Sequence, residues 1–257
     1  ARDGGGGGGA AAAAAAADAL SPSFLFGSGV LKHEKERLAL GAYRACLVAL
    51  PALTRTWFSD LKDVPTARAL SHATATAVSP FLLEREFDAV ERAASKNGFA
   101  DGDADSAGDL TVRVSRGAGE ISATYALDDA AVELKVRLPK TYPLVAAELE
   151  TGARAGVSEA RARKWRLAVG AILRRQNGAV ADGLRTWRRN VDREFAGVEP
   201  CPICYLVIHG SNHQLPRLRC GQCRNTFHNA CLYKWFASSS KSTCPLCQTP
   251  WGASYRG

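Results

Sequence analysis

The apolar residues in the first part of the chain recur at helical spacing. Residues 37–57 are rich in Leu and Ala and are interrupted at Pro51, because proline lacks the N–H that a helix interior needs. Ser79 followed by Pro80 is typical of an N-cap with proline in the first turn, which predicts another helix. We therefore predict a series of amphipathic helices over residues 37–97, and we expect them to be the end of a HEAT-like helical solenoid.

The apolar pattern changes beyond residue 108. Three runs alternate between apolar and polar residues, with apolar positions at Leu110, Val112 and Val114, at Ile121, Ala123, Tyr125 and Leu127, and at Val132, Leu134, Val136 and Leu138. A period of two, broken at residues 116–119 and 128–129, predicts an antiparallel meander with one face on a core. A fourth short strand is predicted over residues 146–150. The acidic, Gly-rich stretch 98–108 before the strands predicts a domain boundary.

Two amphipathic helices are predicted after the strands. Their apolar faces consist of Trp165, Val169, Ile172 and Leu173 in the first helix, which ends at Asn177-Gly178, and of Val180, Leu184, Trp187, Val191 and Phe195 in the second. Arg185, Arg189 and Arg193 fall on the opposite face of the second helix, where we expect them to be exposed. Strands followed by helices that pack on one sheet face predict an α+β domain over residues 109–196.

The composition of the N-terminal part differs from that of the rest. Residues 1–36 include runs of Gly and Ala without an apolar stripe, so we predict that they are disordered. The chain of 257 residues contains no Met, and we expect it to be the C-terminal fragment of a longer protein. No run reaches the roughly 18 consecutive apolar residues of a membrane helix, so we expect no membrane partner.

Positive charge is concentrated before the last quarter of the chain. Residues 151–195 hold eleven Arg or Lys against four Asp or Glu, which gives +7 of the formal net charge of +8. A basic patch of this size is typical of an acidic partner such as nucleic acid, although a solvated helix face has the same composition.

Seven of the eight Cys lie within residues 201–247. Together with one His they form four pairs, each with a gap of two residues: Cys201 and Cys204, Cys220 and Cys223, His228 and Cys231, Cys244 and Cys247. Zinc takes four tetrahedral N or S ligands in a structural site, so eight ligands predict two closed sites. The eighth cysteine, Cys46, lies in an apolar helical stretch, where we expect it to be buried as a small hydrophobe.

The residues between the zinc ligands resemble the RING fingers of ubiquitin ligases. The resemblance rests on Cys201-Pro202-Ile203-Cys204, on His228-Asn229-Ala230-Cys231-Leu232-Tyr233-Lys234-Trp235 and on Cys244-Pro245-Leu246-Cys247. The order of ligands is that of a cross-brace, in which alternate pairs share a metal. Site 1 then consists of Cys201, Cys204, His228 and Cys231, and site 2 of Cys220, Cys223, Cys244 and Cys247. The resemblance implies that Ile203, Trp235 and Pro245 dock a ubiquitin-conjugating enzyme.

Two features qualify the RING interpretation. PHD fingers, which bind histone tails, share the ligand order, but they usually carry Trp where this chain has Ser242, and Pro245 is typical of RING fingers. Many RING fingers place Arg after the last ligand, where it bridges the conjugating enzyme and ubiquitin. This chain has Gln248, which lacks the charge and the bidentate fork, so we expect weaker stabilisation of the charged complex.

A longer block resembles the C-terminal region of the listerin family. It includes residues 183–192 (GLRTWRRNVD), 195–199 (FAGVE), 207–210 (VIHG), 227–236 (FHNACLYKWF) and 241–247 (KSTCPLC). The strand block, with Leu138-Pro139 and Tyr142-Pro143-Leu144, resembles the RWD domain of that family, and residues 199–252 its RING.

The listerin resemblance implies a ubiquitin ligase of ribosome-associated quality control. Such an enzyme acts in the cytosol on nascent chains stalled on large ribosomal subunits. The basic helix face with Arg185, Arg189 and Arg193 would then contact ribosomal RNA or protein. A PHD-like binding module and a nucleic-acid-binding scaffold without transferase activity remain the alternatives.

Overall fold

The computed structural model describes residues 34–96, 98–99 and 108–252. The elements are α1 (Glu34–Ala49), α2 (Pro51–Ser59), α3 (Val64–Ala77), α4 (Ser79–Ser95), β1 (Asp109–Ser115), β2 (Glu120–Leu127), β3 (Ala130–Arg137), β4 (Glu148–Arg154), α5 (Glu159–Arg175), α6 (Val180–Phe195), β5 (Leu218–Arg219), β6 (Thr226–Phe227) and α7 (Asn229–Ser239). The prediction for residues 1–36 falls largely outside the described residues.

The first four helices follow the predicted series. Pro51 opens α2, and the chain bends by 112° between the segments 37–49 and 51–59. Helix α1 begins at Glu34, slightly before the predicted start of the helical segment. No described helix alone is long and apolar enough to cross a membrane, although the bent pair at Pro51 meets that test by length and composition only.

Helix α4 begins where the sequence predicts, but Ser79 does not cap it. The N-cap position is occupied by Val78, and the buried Ser79 hydroxyl donates to the carbonyl oxygen of Tyr142 at 2.6 Å. The N-cap prediction is therefore wrong, because this hydroxyl joins α4 to the loop before β4. Pro80 lies in the first turn, as predicted.

Strands β1 to β4 form one antiparallel sheet in sequential order. The alternating apolar residues of β2 and β3 point to the core, since Ile121, Tyr125 and Val136 are fully buried. The predicted fourth strand is displaced toward the C-terminus, and it pairs with β3 through an irregularity between Val132 and Leu134. The displaced strand, ELETGAR, has no apolar alternation that could have placed it.

The sheet packs against α5 and α6 through the two predicted helix faces. Trp165, Val169 and Leu173 of α5 are buried, as are Val180, Leu184, Trp187, Val191 and Phe195 of α6. The rings of Tyr125 and Phe195 stack with 6.1 Å between their centroids. The α+β domain is thus built as the sequence predicts, with its helices on one sheet face.

The predicted boundary at residues 98–108 does not separate two cores. Phe87, Val90 and Ala93 of α4, followed by Phe99, are buried in the same cluster as the sheet and α6. Helix α4 contacts β1 and α6. It is therefore the first element of the α+β domain, and only residues 34–77 form the separate helical segment.

Helix α2 fixes the helical segment to the α+β domain. The Arg55 guanidinium donates to the carbonyl oxygens of Pro143, Leu173 and Arg174, the last two at the C-terminal end of α5. A cation there is favoured by the negative end of the helix dipole. Leu47 of α1 packs into a small buried cluster, whereas Cys46 is exposed, so the prediction that Cys46 is buried is wrong.

Candidate metal centre and docking surface

Three loops of the C-terminal segment share one backbone pattern. In each loop, the backbone N–H of the first Cys donates to the carbonyl oxygen of the residue five positions later. The carbonyl oxygen of that Cys accepts from the backbone N–H of the residue four positions later. The loops begin at Cys201, Cys220 and Cys244, and the residues four positions later are Tyr205, Arg224 and Gln248. All three of these residues have a left-handed backbone, with φ between 57° and 62°. Each loop thereby presents two thiols to the same side.

The eight predicted ligands converge in two groups of four. Cys201, Cys204, His228 and Cys231 form one group, and Cys220, Cys223, Cys244 and Cys247 form the other; within each group the ligand atoms lie within 4.8 Å of one another. The pairing alternates along the chain, as the cross-brace predicts. Because the pairs of the two groups alternate, each metal joins two pairs across a pair of the other group, and metal binding therefore ties the whole segment together.

The distances between the ligand atoms fit tetrahedral zinc. Zinc–sulfur bonds of about 2.3 Å place the sulfurs of a tetrahedron about 3.8 Å apart. The sulfurs of Cys220 and Cys247 are 3.6 Å apart, and those of Cys223 and Cys244 are 3.8 Å apart. A soft donor set with four ligands and no open position selects a structural Zn²⁺ at each group.

His228 presents its Nδ1 atom to site 1. Nδ1 lies 3.3 Å from the Cys204 sulfur, while Nε2 lies 3.1 Å from the carbonyl oxygen of Val207 and can donate to it. The ring is fully buried. Burial lowers the pKa of His228, which favours the neutral imidazole that a metal requires.

Hydrogen bonds favour the thiolate form of Cys247 in site 2. The Thr249 side chain and backbone lower the pKa of Cys247 to about 6. The thiolate is the form that binds zinc, so these hydrogen bonds favour the metal-binding form of Cys247, whereas burial raises the pKa of Cys244 in the same loop to about 12.

A small apolar cluster lies between the two sites. Phe227 and Leu232 are fully buried, and the Trp251 ring makes edge contacts with Phe227 and Phe236 at centroid distances of 5.9 Å. Ile203 and Trp235 are partly buried and pack against this cluster. Packing and metal ligation therefore hold both side chains in place.

The predicted docking residues lie at the surface of this cluster. The Trp235 indole N–H donates to the carbonyl oxygen of Thr243 at 3.0 Å, which joins α7 to the loop that contains the half-buried Pro245. Leu246 is 50% exposed beside Pro245 and enlarges the apolar surface. Sequence reasoning did not single out Leu246, although it holds the same place between its ligands as Ile203 does. Gln248 is exposed.

The basic face of α6 differs in part from the prediction. Arg189 and Arg193 are exposed. Arg185 is partly buried instead, because its guanidinium donates to the Gly98 carbonyl oxygen at 2.9 Å and pairs with Asp182. Arg185 therefore holds the end of α4 against α6, and only the other two are exposed as expected.

Three known families match successive parts of the chain. A family described as "Ring finger domain" matches residues 199–248, "Ubiquitin conjugating domain-like" matches residues 110–194, and "LTN1 family HEAT repeat region" matches residues 14–91. The helical, α+β and RING classes predicted from the sequence are thereby confirmed. The more specific name RWD domain stays a prediction for the middle part.

Curated relatives that carry the name "E3 ubiquitin-protein ligase listerin" match most of this chain. The protein from Gallus gallus is 40% identical over 223 residues, which cover 86% of this chain. Those from Schizosaccharomyces pombe and Saccharomyces cerevisiae are 39% and 35% identical over 82% and 77% of it. The chain belongs to the listerin family. It spans 12–13% of the length of these listerins.

Proposed function

We propose that this chain is the ubiquitin-transferring part of a RING-type E3 ubiquitin-protein ligase. The observation that carries the proposal is that Ile203 and Trp235 pack against the cluster of zinc ligands, and that Trp235 bonds to the zinc loop that contains Pro245. Closed sites give zinc no place for a substrate, so the metal acts by shaping the surface that these residues form. A shallow apolar surface with an aromatic anchor suits a protein partner, which we propose to be a ubiquitin-conjugating enzyme.

The transfer itself needs no nucleophile from this chain. Seven of its eight cysteines are zinc ligands, and Cys46 lies in α1, in the separate helical segment. Ubiquitin therefore stays as a thioester on the conjugating enzyme until a substrate lysine attacks the thioester carbonyl. An isopeptide bond forms, and the thiol of the conjugating enzyme leaves. The RING contributes proximity and restricts the thioester to its reactive geometry.

Replacing Trp235 tests this proposal directly. We expect Trp235→Ala to keep both zinc ions while discharge of ubiquitin from the charged conjugating enzyme falls to the rate without ligase. Trp57→Ala is the matched control, since Trp57 is 49% exposed on α2 in the separate helical segment. Undiminished discharge by the zinc-loaded Trp235→Ala protein would contradict the docking surface. A chain inactive even as wild type would favour a PHD-like module or a nucleic-acid scaffold.

We propose that the substrates are nascent chains stalled on large ribosomal subunits in the cytosol. The support is membership of the listerin family together with the basic surface of α5 and α6. Arg189 and Arg193 are the exposed α6 residues that we assign to a ribosomal contact; Arg185 is excluded because of its bonds to Gly98 and Asp182. Phosphate contacts by such residues release counterions, which makes binding depend on salt.

Charge reversal tests the ribosomal contact. We expect Arg189→Glu with Arg193→Glu to weaken sedimentation with purified large subunits and to flatten the dependence of that binding on salt. Lys62→Glu with Arg68→Glu makes the same change in charge at exposed positions of the helical segment. Equal binding by both double variants would contradict the assignment of Arg189 and Arg193 to the ribosomal contact. Ubiquitin discharge onto free lysine should be unchanged in both.

A further inference from the structure

Part of the long loop of the RING belongs structurally to the α+β domain. Ile208, between the first and second zinc pairs, is 1% exposed and lies in the same core cluster as Phe195 of α6. The N–H of Gly156, just after β4, donates to the carbonyl oxygen of His213 in the same loop at 2.8 Å. The RING is therefore fixed to the α+β domain by more than the chain connection at residues 196–200.

A single carboxylate holds the start of this loop. Asp128 lies in the turn between β2 and β3, and its Oδ2 atom accepts hydrogen bonds from the backbone N–H groups of Val207 and Ile208, at 2.7 and 3.0 Å. Asp128 has a φ of 52°, in the left-handed region that Asp, Asn and Gly tolerate best. The turn conformation directs its carboxylate at the RING.

The other side of Val207 faces zinc site 1. The Val207 carbonyl oxygen lies 3.1 Å from Nε2 of His228, the nitrogen opposite the ligand atom. The ring of His209 also contacts that of His228, with 5.1 Å between their centroids. One peptide segment thus links a carboxylate of the α+β domain to a metal ligand.

We propose that Asp128 is a positioning residue, which fixes the orientation of the RING on the α+β domain and steadies His228 through Val207. A hydrogen bond to the second nitrogen of a metal-bound His sets its tautomer and its ring orientation, and loss of such a partner typically weakens metal binding by about 10–100-fold. Asp128 acts one residue further out, through the peptide that supplies this partner. We therefore expect an effect below that range, about five- to tenfold.

Two substitutions separate the carboxylate from the turn. Asp128→Gly removes the acceptor and keeps the positive φ without strain, while Asp128→Asn keeps both an acceptor oxygen and the φ. Asp129→Gly is the matched control in the same turn, because Asp129 makes no hydrogen bond to the RING within the part of the chain that the structure describes. Protection of β2 and β3 amides from hydrogen exchange verifies that each variant is folded.

Loss of metal from the full, metal-loaded chain gives the first readout. With cadmium-113 replacing zinc, the Cys₃His and Cys₄ sites have separate NMR resonances, so loss of metal to a chelator can be followed at each. We expect Asp128→Gly to accelerate loss at the Cys₃His site about five- to tenfold and to leave the Cys₄ site unchanged. The Asp128→Asn and Asp129→Gly variants should match the wild type.

Residual dipolar couplings give the second readout. The RING and the α+β domain should share one alignment tensor in the wild type and in Asp128→Asn, and should have different tensors in Asp128→Gly. Equal acceleration at both metal sites, or an unchanged tensor and unchanged metal loss in Asp128→Gly, would overturn the proposal. Neither readout involves ubiquitin, so failure of the proposed ligase activity would not affect this test.

Discussion

The indole N–H of Trp235 donates a hydrogen bond to the main-chain carbonyl of Thr243, with 3.0 Å between the nitrogen and the oxygen. Thr243 directly precedes the site 2 ligand Cys244 and pairs with Pro250 in an isolated bridge. A single side chain of α7 therefore sets the position of the last zinc loop, which carries Pro245. The same ring supplies part of the proposed docking surface. Trp235 therefore has a polar role, the bond to Thr243, and an apolar role, contact with the partner.

Trp235→Phe should separate these two roles. Phe keeps most of the apolar surface but cannot donate to Thr243, and loss of one such bond costs about 0.5–1.5 kcal/mol. We expect a correspondingly lower free energy of unfolding for the zinc-loaded RING, with weaker but measurable binding of the conjugating enzyme by NMR titration. Binding as poor as that of Trp235→Ala would mean that the hydrogen bond, and not the apolar surface, decides docking.

Gln248→Arg should increase ubiquitin transfer. Gln248 is exposed, and its positive φ belongs to the backbone pattern of its zinc loop, so Arg can occupy it with no more backbone strain. A charge-assisted hydrogen bond exceeds a neutral one by about 1 kcal/mol, which corresponds to roughly a fivefold higher discharge rate. Gln248→Lys adds the charge without the fork and should gain less. Rates equal to wild type for both variants would show that position 248 is not used.

Removal of zinc should unfold the RING and leave the α+β domain folded. The core of that domain contains Tyr125, Leu134 and Leu184, none of which depends on metal, whereas Leu232 is buried among zinc ligands. With a chelator we expect the amides of α7 to lose protection from hydrogen exchange while those of β2 and β3 keep it. Because protons compete for thiolates, less chelator should suffice at pH 5 than at pH 8. Simultaneous loss of protection in β2 and β3 would contradict two separate cores.

Glu86 should make stability fall as the pH rises. Its carboxyl accepts from the Tyr142 hydroxyl at 3.0 Å and from the Val180 N–H at 2.9 Å, and burial raises its pKa. The folded chain thus binds this proton more tightly than the unfolded chain does. The resulting stabilisation is complete below the unfolded pKa and is lost as pH rises through the folded one.

Glu86→Gln should remove this pH dependence. An amide can accept from Val180 with its oxygen and donate to the Tyr142 oxygen with its nitrogen, so both hydrogen bonds persist without a titrating group. We expect the gain in the free energy of unfolding from Glu86→Gln to be larger at pH 8 than at pH 5, measured by urea denaturation. Glu148→Gln, at an exposed position, controls for the loss of one charge. An equal effect at both pH values would show that Glu86 does not cause the pH dependence of stability.

Local periodicity predicted most of the elements, because each buried face follows from a short stretch of sequence. The alternation through Tyr125 and Leu134 and the helical stripe through Trp187 needed no knowledge of distant residues. The zinc ligands were predicted for a related reason, since the metal requires fixed residue types at fixed spacing. The bounds of β4 were misplaced because its polar sequence carries neither signal.

Contacts between distant residues could not be predicted in this way. Ser79 has the form of a helix cap, yet its hydroxyl bonds to Tyr142, 63 positions away. Arg185 lies on the polar face of α6 by periodicity, but it donates to the carbonyl oxygen of Gly98, which follows the end of α4. Only residues 196–200 separate α6 from the first zinc ligand, Cys201, which keeps the RING close to the α+β domain, but nothing in the local sequence marked Asp128 as its contact.

Helix α4 extends the core of the α+β domain into the region that matches the HEAT repeats. It lies mostly within the residues that match the HEAT repeat region, and its Phe87 and Val90 fill the core beneath the sheet. A recombinant protein that started at residue 109 would lose these side chains and expose the apolar surface that they cover. A recombinant protein should therefore begin before Val78. The properties measured for a shorter protein would reflect the incomplete core of the α+β domain and not the RING.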